Sequence, residues 1–274
     1  MTQLRHYAFG LSAIIVYSFI AVIMNLSSAA YASDVCTFVR VLGHVNLLKG
    51  GKIPAIPARI QLGAEVGDGV HTKEASRAQM HFIDDSEMFI APKSEIIIES
   101  YMYNPDSIWK VVPRIIRGLT HTMVSFTGKT DKIKTPPCFL KTDTAVIGVR
   151  GTDLYILIGQ NFTDIFVKNG NVVAGSLEPQ KTKAEYSKLL RQIEVRGGGG
   201  HGLSGYGAEI GGHAQLGPQT ACRIVAGEPP MEVIKIPLEY FDRLDKLMVT
   251  GLPEKLGESK NPKQLLDIIS PPSN

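Results

Sequence analysis

The stretch Thr142-Asp143-Thr144-Ala145-Val146-Ile147-Gly148-Val149-Arg150-Gly151-Thr152-Asp153-Leu154-Tyr155-Ile156-Leu157-Ile158 reads as one strand, a tight backbone feature and a second strand. Val146, Ile147, Val149, Ile156 and Ile158 are β-branched, which suits a pleated, partly buried surface. Gly148 and Gly151 flank Val149-Arg150, and glycine inside a strand marks a bulge, a bend or a close backbone approach. Arg150 and Asp153 therefore fall on the same short turn, where Arg150 either ties down the bend or recognises a partner. Beyond Gly159-Gln160-Asn161 the chain resumes as Thr163-Asp164-Ile165-Phe166-Val167-Lys168. Asn169-Gly170 then predicts a hairpin turn, because both residues tolerate positive φ, with Val172-Val173-Ala174 returning.

Val39 to Leu48 alternates as a strand around Gly43, and Lys49-Gly50-Gly51-Lys52 turns the chain. Leu62 to Thr72 holds a sharp reversal at Gly67-Asp68. Ser76 to Ile98 reads as a hairpin turning at Asp84-Asp85-Ser86, with Asp85 able to take a left-handed position. Val112 to Gly128 supplies more strand, and Thr135-Pro136-Pro137 breaks the ladder. Short strands punctuated by turn residues predict a mainly β architecture. In Pro179–Val195 the pattern changes. Tyr186, Leu189, Leu190 and Ile193 follow helical spacing, which predicts an amphipathic helix inserted into the β body. Gly197 to Gly212 is dense in glycine. In the tail, Pro237 precedes Phe241, Leu244, Leu247 and Met248 at helical spacing, with Gly251 as a stop. Asn261-Pro262 opens a shorter helix ending before Pro271. These helices either cover a sheet edge or bind a partner.

The central stretch resembles the signature of the FecR family of extracytoplasmic bacterial proteins, T-P-T-A-x-x-G-V-R-G-T-[DE]-[FL]. Thr142, Thr144, Ala145, Gly148, Val149, Arg150, Gly151, Thr152, Asp153 and Leu154 match it, and Asp143 replaces the proline. Leu62–Thr72 and Ser76–Ile98 are similar to the family's turn motifs, with Gly67, Asp68, Asp84, Asp85 and Ser86 at the turns. His213–Ile224 is similar to its closing strand. The resemblance covers residues 39–230 and implies a β-solenoid or β-helix-like domain. With it the chain divides into an exported leader (1–32), this domain with its insertion (179–212), and a helical tail (231–274). It also implies a role in signal relay from a receptor to a cytoplasmic anti-sigma segment.

Arg5 and His6 precede an apolar run, Tyr7 to Met24, and Ala30-Tyr31-Ala32 supplies a small-residue cleavage site. That order describes a secretory signal peptide cleaved after Ala32, with an uncleaved membrane anchor as the rival reading. The expected location is the periplasm or cell surface of a bacterium. Composition is that of a globular chain, with 44% apolar and 20% charged residues. The formal charge is +3, or 28 − 26 = +2 without residues 1–32, and nothing in it suggests a polyanion partner; no basic, aromatic-laced patch suggests nucleic acid. Three cysteines, Cys36, Cys138 and Cys222, allow one bridge in an oxidising compartment, and spacing does not choose the pair. The pairing expected here is Cys138–Cys222, joining the start of the signature region to the closing strand.

No catalytic, cofactor or metal residues are expected. Gly200-His201-Gly202-Leu203-Ser204-Gly205 has the letters of a dinucleotide fingerprint but leads into Tyr206-Gly207, whereas that chemistry needs a helix start. Ser107-Ile108-Trp109-Lys110 lacks the companion motifs of serine acyl-transfer enzymes. His121, His201 and His213 are too far apart in sequence to suggest a compact ligand set. Few residues precede the apolar run, too few to fold as a sigma-binding segment, which weakens direct relay. The reading reached is a non-enzymatic binding or assembly module whose partner is another envelope protein, touching membrane only through an uncleaved leader. A signalling module with a separately encoded partner is the alternative, and a protein acting on cell-wall glycans is third.

Overall fold

The computed structural model describes residues 34–102, 110–125, 138–177, 213–253 and 265. The leader, the Ser107-x-x-Lys110 motif up to Trp109, the helix expected in Pro179–Val195, the glycine-dense run and the second tail helix apart from Leu265 lie outside them. In chain order the strands are β1 (Cys36–Leu42), β2 (Val45–Leu48), β3 (Ile56–Pro57), β4 (Gly63–Ala64) and β5 (Gly69–Thr72). They continue with β6 (Arg77–Phe82), β7 (Glu87–Ile90), β8 (Glu95–Met102), β9 (Lys110–Met123) and β10 (Cys138–Lys141). The last five are β11 (Ala145–Ile158), β12 (Phe162–Ser176), β13 (His213–Leu216), β14 (Thr220–Val225) and β15 (Ile234–Lys235), followed by helix α1 (Glu239–Thr250).

All fifteen strands belong to one sheet whose main path runs β15-β14-β12-β11-β10-β9-β7-β6-β1-β4. This overturns the solenoid. Stacked coils of a β-helix pair in parallel, whereas among the described residues the ladders are antiparallel apart from the single Lys141–Arg114 bridge between β10 and β9. Five of the strands close into a barrel.

The long strands carry the architecture by serving different neighbours along their length. In β9 the first half pairs with β8, while Gly118 to Met123 pairs with β11, and Thr120 to Met123 also with β7 on the other side. The change falls at Gly118, whose φ is +98° and whose absent side chain makes room for Ser94. A β-carbon there would collide with Ser94 Oγ and stand 2.7 Å from Ser94 Cα.

β11 and β12 form a hairpin whose turn is Gly159-Gln160-Asn161, and β12 runs unbroken through Asn169-Gly170. The hairpin expected at Asn169-Gly170 is therefore corrected. Val167 pairs with Leu154 and Val172 with Val149, so the same strand continues past the glycine. The register shifts between Arg150 and Asp153, and Gly151 and Gly170 take φ of +54° and +88° beside that shift. Positive φ here bends two paired strands together.

Leu154 to Ile158 is apolar at every residue because both faces of β11 are covered, where a half-exposed strand would alternate. Leu154, Ile156 and Ile158 point into the main core with Phe38, Leu47, Met88 and Ile165. Tyr155 and Leu157 point into a second apolar layer with Leu119, Phe162, Phe166 and the buried face of α1. In that face Phe241, Leu244 and Met248 are buried, each contributing about 1.5–3 kcal/mol when fully withdrawn from water. Acidic Glu239 and Asp242 sit in the first turn, where they favour the helix dipole. Gly251, at φ +85°, ends the helix with its N–H donating to Leu247 O at 2.8 Å. The helix thus covers a sheet face.

Candidate functional site

The signature region supplies the candidate site, and the polar groups of Thr142, Thr144 and Asp153 are used in building the sheet, whereas the buried Thr152 hydroxyl has no hydrogen-bond partner among the described residues. Thr142, Thr144 and Thr163 are buried, and their hydroxyls form a cluster. Thr163 Oγ1 lies 2.7 Å from Thr142 Oγ1 and 2.6 Å from Thr144 Oγ1. Thr142 Oγ1 also accepts the backbone N–H of Ala145 at 2.9 Å. The two threonines of the T-x-T-A segment thereby anchor the start of β11 to the start of β12.

Gly148 pairs with Phe139 on one side and Val173 on the other, and Val149 is fully buried. Thr152 is buried beside Gly170. Asp153 turns its carboxylate to His121 on β9, with Oδ1 2.6 Å from Nε2. Of Arg150 the backbone alone is described, paired with Asn171, so the two roles expected for its side chain lie outside the described residues.

His121 is 13% exposed and faces Phe89 across one ladder and Tyr155 across the other. The register stacks the three rings. His121 lies 5.4 Å from Phe89 at 21° and 4.0 Å from Tyr155 at 6°. Tyr155 donates its hydroxyl to Asp245 of α1 at 2.6 Å, and its ring tilts against Phe241 at 6.0 Å. Burial first, then the Asp245 carboxylate, pushes the Tyr155 phenol far up, so it remains a donor. The signature aspartate is thus connected through two rings to the helix covering the sheet.

A second polar group occupies the same layer. Asp164 and Arg223 are direct cross-strand neighbours on β12 and β14, 2% and 0% exposed. Arg223 Nε and Nη2 donate to the two Asp164 carboxylate oxygens at 2.6 Å each, a bidentate pair. The guanidinium carbon stands 3.7 Å from the Phe162 ring centroid, which satisfies its face as well as its edge. Burial pushes the Asp164 carboxyl up, and Arg223 opposes that shift. Sequence reading passed over this pair, although a charge inside Phe162–Val167 and another inside Ala221–Ile224 is itself a signal that the two meet.

At the turns, Asp68 is buried and accepts the N–H groups of Gly50 at 2.8 Å and Glu65 at 2.9 Å, while Lys49 Nζ stands 2.9 Å from it. Gly67, at φ +94°, donates its N–H to Ile98 O at 2.7 Å. Asp84 accepts the Ser86 N–H at 3.0 Å, Asp85 takes φ +61°, and Ser86 Oγ accepts the Ser125 N–H at 3.1 Å. The Asp84–Ser86 turn meets the end of β9, where Met123 pairs with Glu87 on one side and Asp153 on the other, and Asp68 shapes a separate turn.

The expected Cys138–Cys222 disulfide is absent, and Cys36, Cys138 and Cys222 are buried thiols. β11 and β12 stand between β10 and β14. Three strand spacings amount to about 14 Å, and a bridge needs Cα atoms within about 7 Å. Burial pushes all three thiols up, Cys222 to about 12. Among the described residues no cluster of His, Cys, Asp and Glu has the arrangement of a metal site.

No family model matches the chain, and no curated protein matches it. Two crystal structures of a protein from Parabacteroides distasonis ATCC 8503, described as a "putative anti-sigma factor", are similar in part. Each has a TM-score of 0.41, at 10% and 9% identity over 64% of this chain. The chain spans 63% and 62% of those structures, less than two thirds of their length.

Proposed function

We propose that this chain is an exported, non-enzymatic β-domain that acts by holding a protein partner in the bacterial envelope. The observation that supports this is the use of three polar residues of the signature. Thr142, Thr144 and Asp153 spend their polar atoms on Thr163, Ala145 and His121 within the fold. A stretch so committed builds a scaffold, and recognition then falls to the surface that the scaffold presents. The resemblance of Thr142–Leu154 to the FecR signature favours a second, narrower reading, in which the domain passes a signal to a separately encoded membrane or sigma-regulatory partner.

The test is affinity capture by the full chain from envelope extract of the bacterium that encodes it. One protein recovered in stoichiometric amount supports the proposal, and its identity as a membrane or sigma-regulatory protein selects the narrower reading. Retention of glycan fragments without an enriched protein would instead assign the domain to the cell wall.

A further inference from the structure

We propose that the edge formed by Lys52–Ile60 and the neighbouring part of β1 is a docking surface for an anionic lipid bilayer. Residues Cys36 to Ala64 contain no acidic residue, although the chain carries 26. Within this span Lys49 is held by Glu65 and Asp68, but Arg40, Lys52 and Arg59 are exposed and form no ion pair among the described residues. Large aliphatic side chains lie among these cations. Ile53 is 86% and Ile60 60% exposed, and Leu42 is also exposed.

Backbone pairing places Ile56, Arg59 and Ile60 along one edge, and Lys52 and Ile53 lead into it. Ala58 N–H donates to Val45 O and Gln61 N–H to Phe38 O, each at 2.8 Å. Arg59 and Ile60 between them therefore lie alongside the interval from Val39 to His44, where β1 bulges and breaks at Gly43. Ile56 pairs with Leu47, and among the described residues β3 has no strand on its other side. This edge is poorly suited to an added strand from a protein, because β3 is two residues long and Pro54 and Pro57 lack N–H donors.

Exposed aliphatic groups flanked by unpaired cations fit a surface that offers apolar depth beneath negative headgroups. The edge also borders β1, where the domain begins. Residues 25–35 separate β1 from the apolar run ending at Met24 and reach at most ~40 Å when extended. An uncleaved run would tether the start of the domain within that reach of a bilayer. The inference stands apart from the protein partner proposed above, and a failure of either leaves the other intact.

The test uses the full chain with a nitrobenzoxadiazole dye at Ile53→Cys, Ile60→Cys or, as a control, the equally aliphatic Val249→Cys on α1. The native cysteines are buried and stay unlabelled. Each form is mixed with phosphatidylcholine vesicles carrying spin-labelled lipid, with or without phosphatidylglycerol. The expected result is quenching at positions 53 and 60, dependent on phosphatidylglycerol and absent at 249. Lys52→Glu with Arg59→Glu should weaken it by about fivefold or more per reversed charge. Circular dichroism confirms that each variant is folded. Equal quenching at all three positions, or none at 53 and 60, would overturn the proposal. A dye shift that instead follows protein concentration without lipid would assign the edge to a second copy of the chain and also overturn it.

Discussion

Gly170 is packed on the carbonyl of Gly151. A β-carbon at Gly170 would stand 2.6 Å from that oxygen and 3.0 Å from Thr152 Cα. Both contacts are with backbone, which cannot swing aside. Gly170→Val is expected to destabilise by about 1–3 kcal/mol from backbone strain alone, with the clash adding to it. Gly170→Ala should show most of the same loss. Urea unfolding of each variant measures this, and a parental midpoint for Gly170→Val would refute the close approach.

Asp164 and Arg223 make a second prediction. Removing one member, as in Arg223→Leu, leaves an uncompensated charge in the second core and is expected to cost about 3–5 kcal/mol. Asp164→Leu combined with Arg223→Met should cost much less than the two single changes added. A double-mutant cycle by chemical denaturation checks this. Additive losses would mean that the two groups do not act as a pair.

Helix α1 should respond to Tyr155 in a graded way. Tyr155→Phe keeps the ring against His121 and Phe241 but removes the bond to half-exposed Asp245, for an expected loss of about 1 kcal/mol. Phe241→Ala removes a fully buried ring, for about 3–5 kcal/mol. Hydrogen exchange should locate both losses first in the α1 amides. Unchanged protection of α1 in Phe241→Ala would contradict its docking on the sheet.

The three thiols should resist modification. Burial disfavours the thiolate and also blocks approach, so Ellman's reagent is expected to find no reactive thiol in the native chain at neutral pH. Unfolding in guanidinium should release three. A native chain with fewer than three titratable thiols after unfolding would restore a disulfide.

Periodicity and turn residues made the strands and α1 legible, because alternation and helical spacing are local properties. Phe241, Leu244 and Met248 show this, as does the positive φ of Asp85. Asn169-Gly170 misled because the pair is equally suited to a hairpin and to a bend in a continuing strand. Only the register against Gly151 separates the two. The direction of pairing was hidden for the same reason, since a strand's own pattern does not record whether its neighbour runs parallel. His121 looked isolated in sequence, and it takes the β9–β11 register to bring it to Asp153. Asp164 and Arg223 were readable as charges in apolar strands, 59 residues apart.

In the function proposed above, the signature builds the scaffold while a protein partner is held elsewhere on it. Asp153→Ala tests this most directly, because Asp153 is the signature carboxylate whose partner, His121, is seen. Melting and envelope capture are measured on the same purified full chain. The expected loss is about 1 kcal/mol, or about 2–4 °C for a domain of this size, with the captured protein retained at a temperature where the variant is folded. An Asp153→Ala chain that melts with the parent and loses its partner would contradict it.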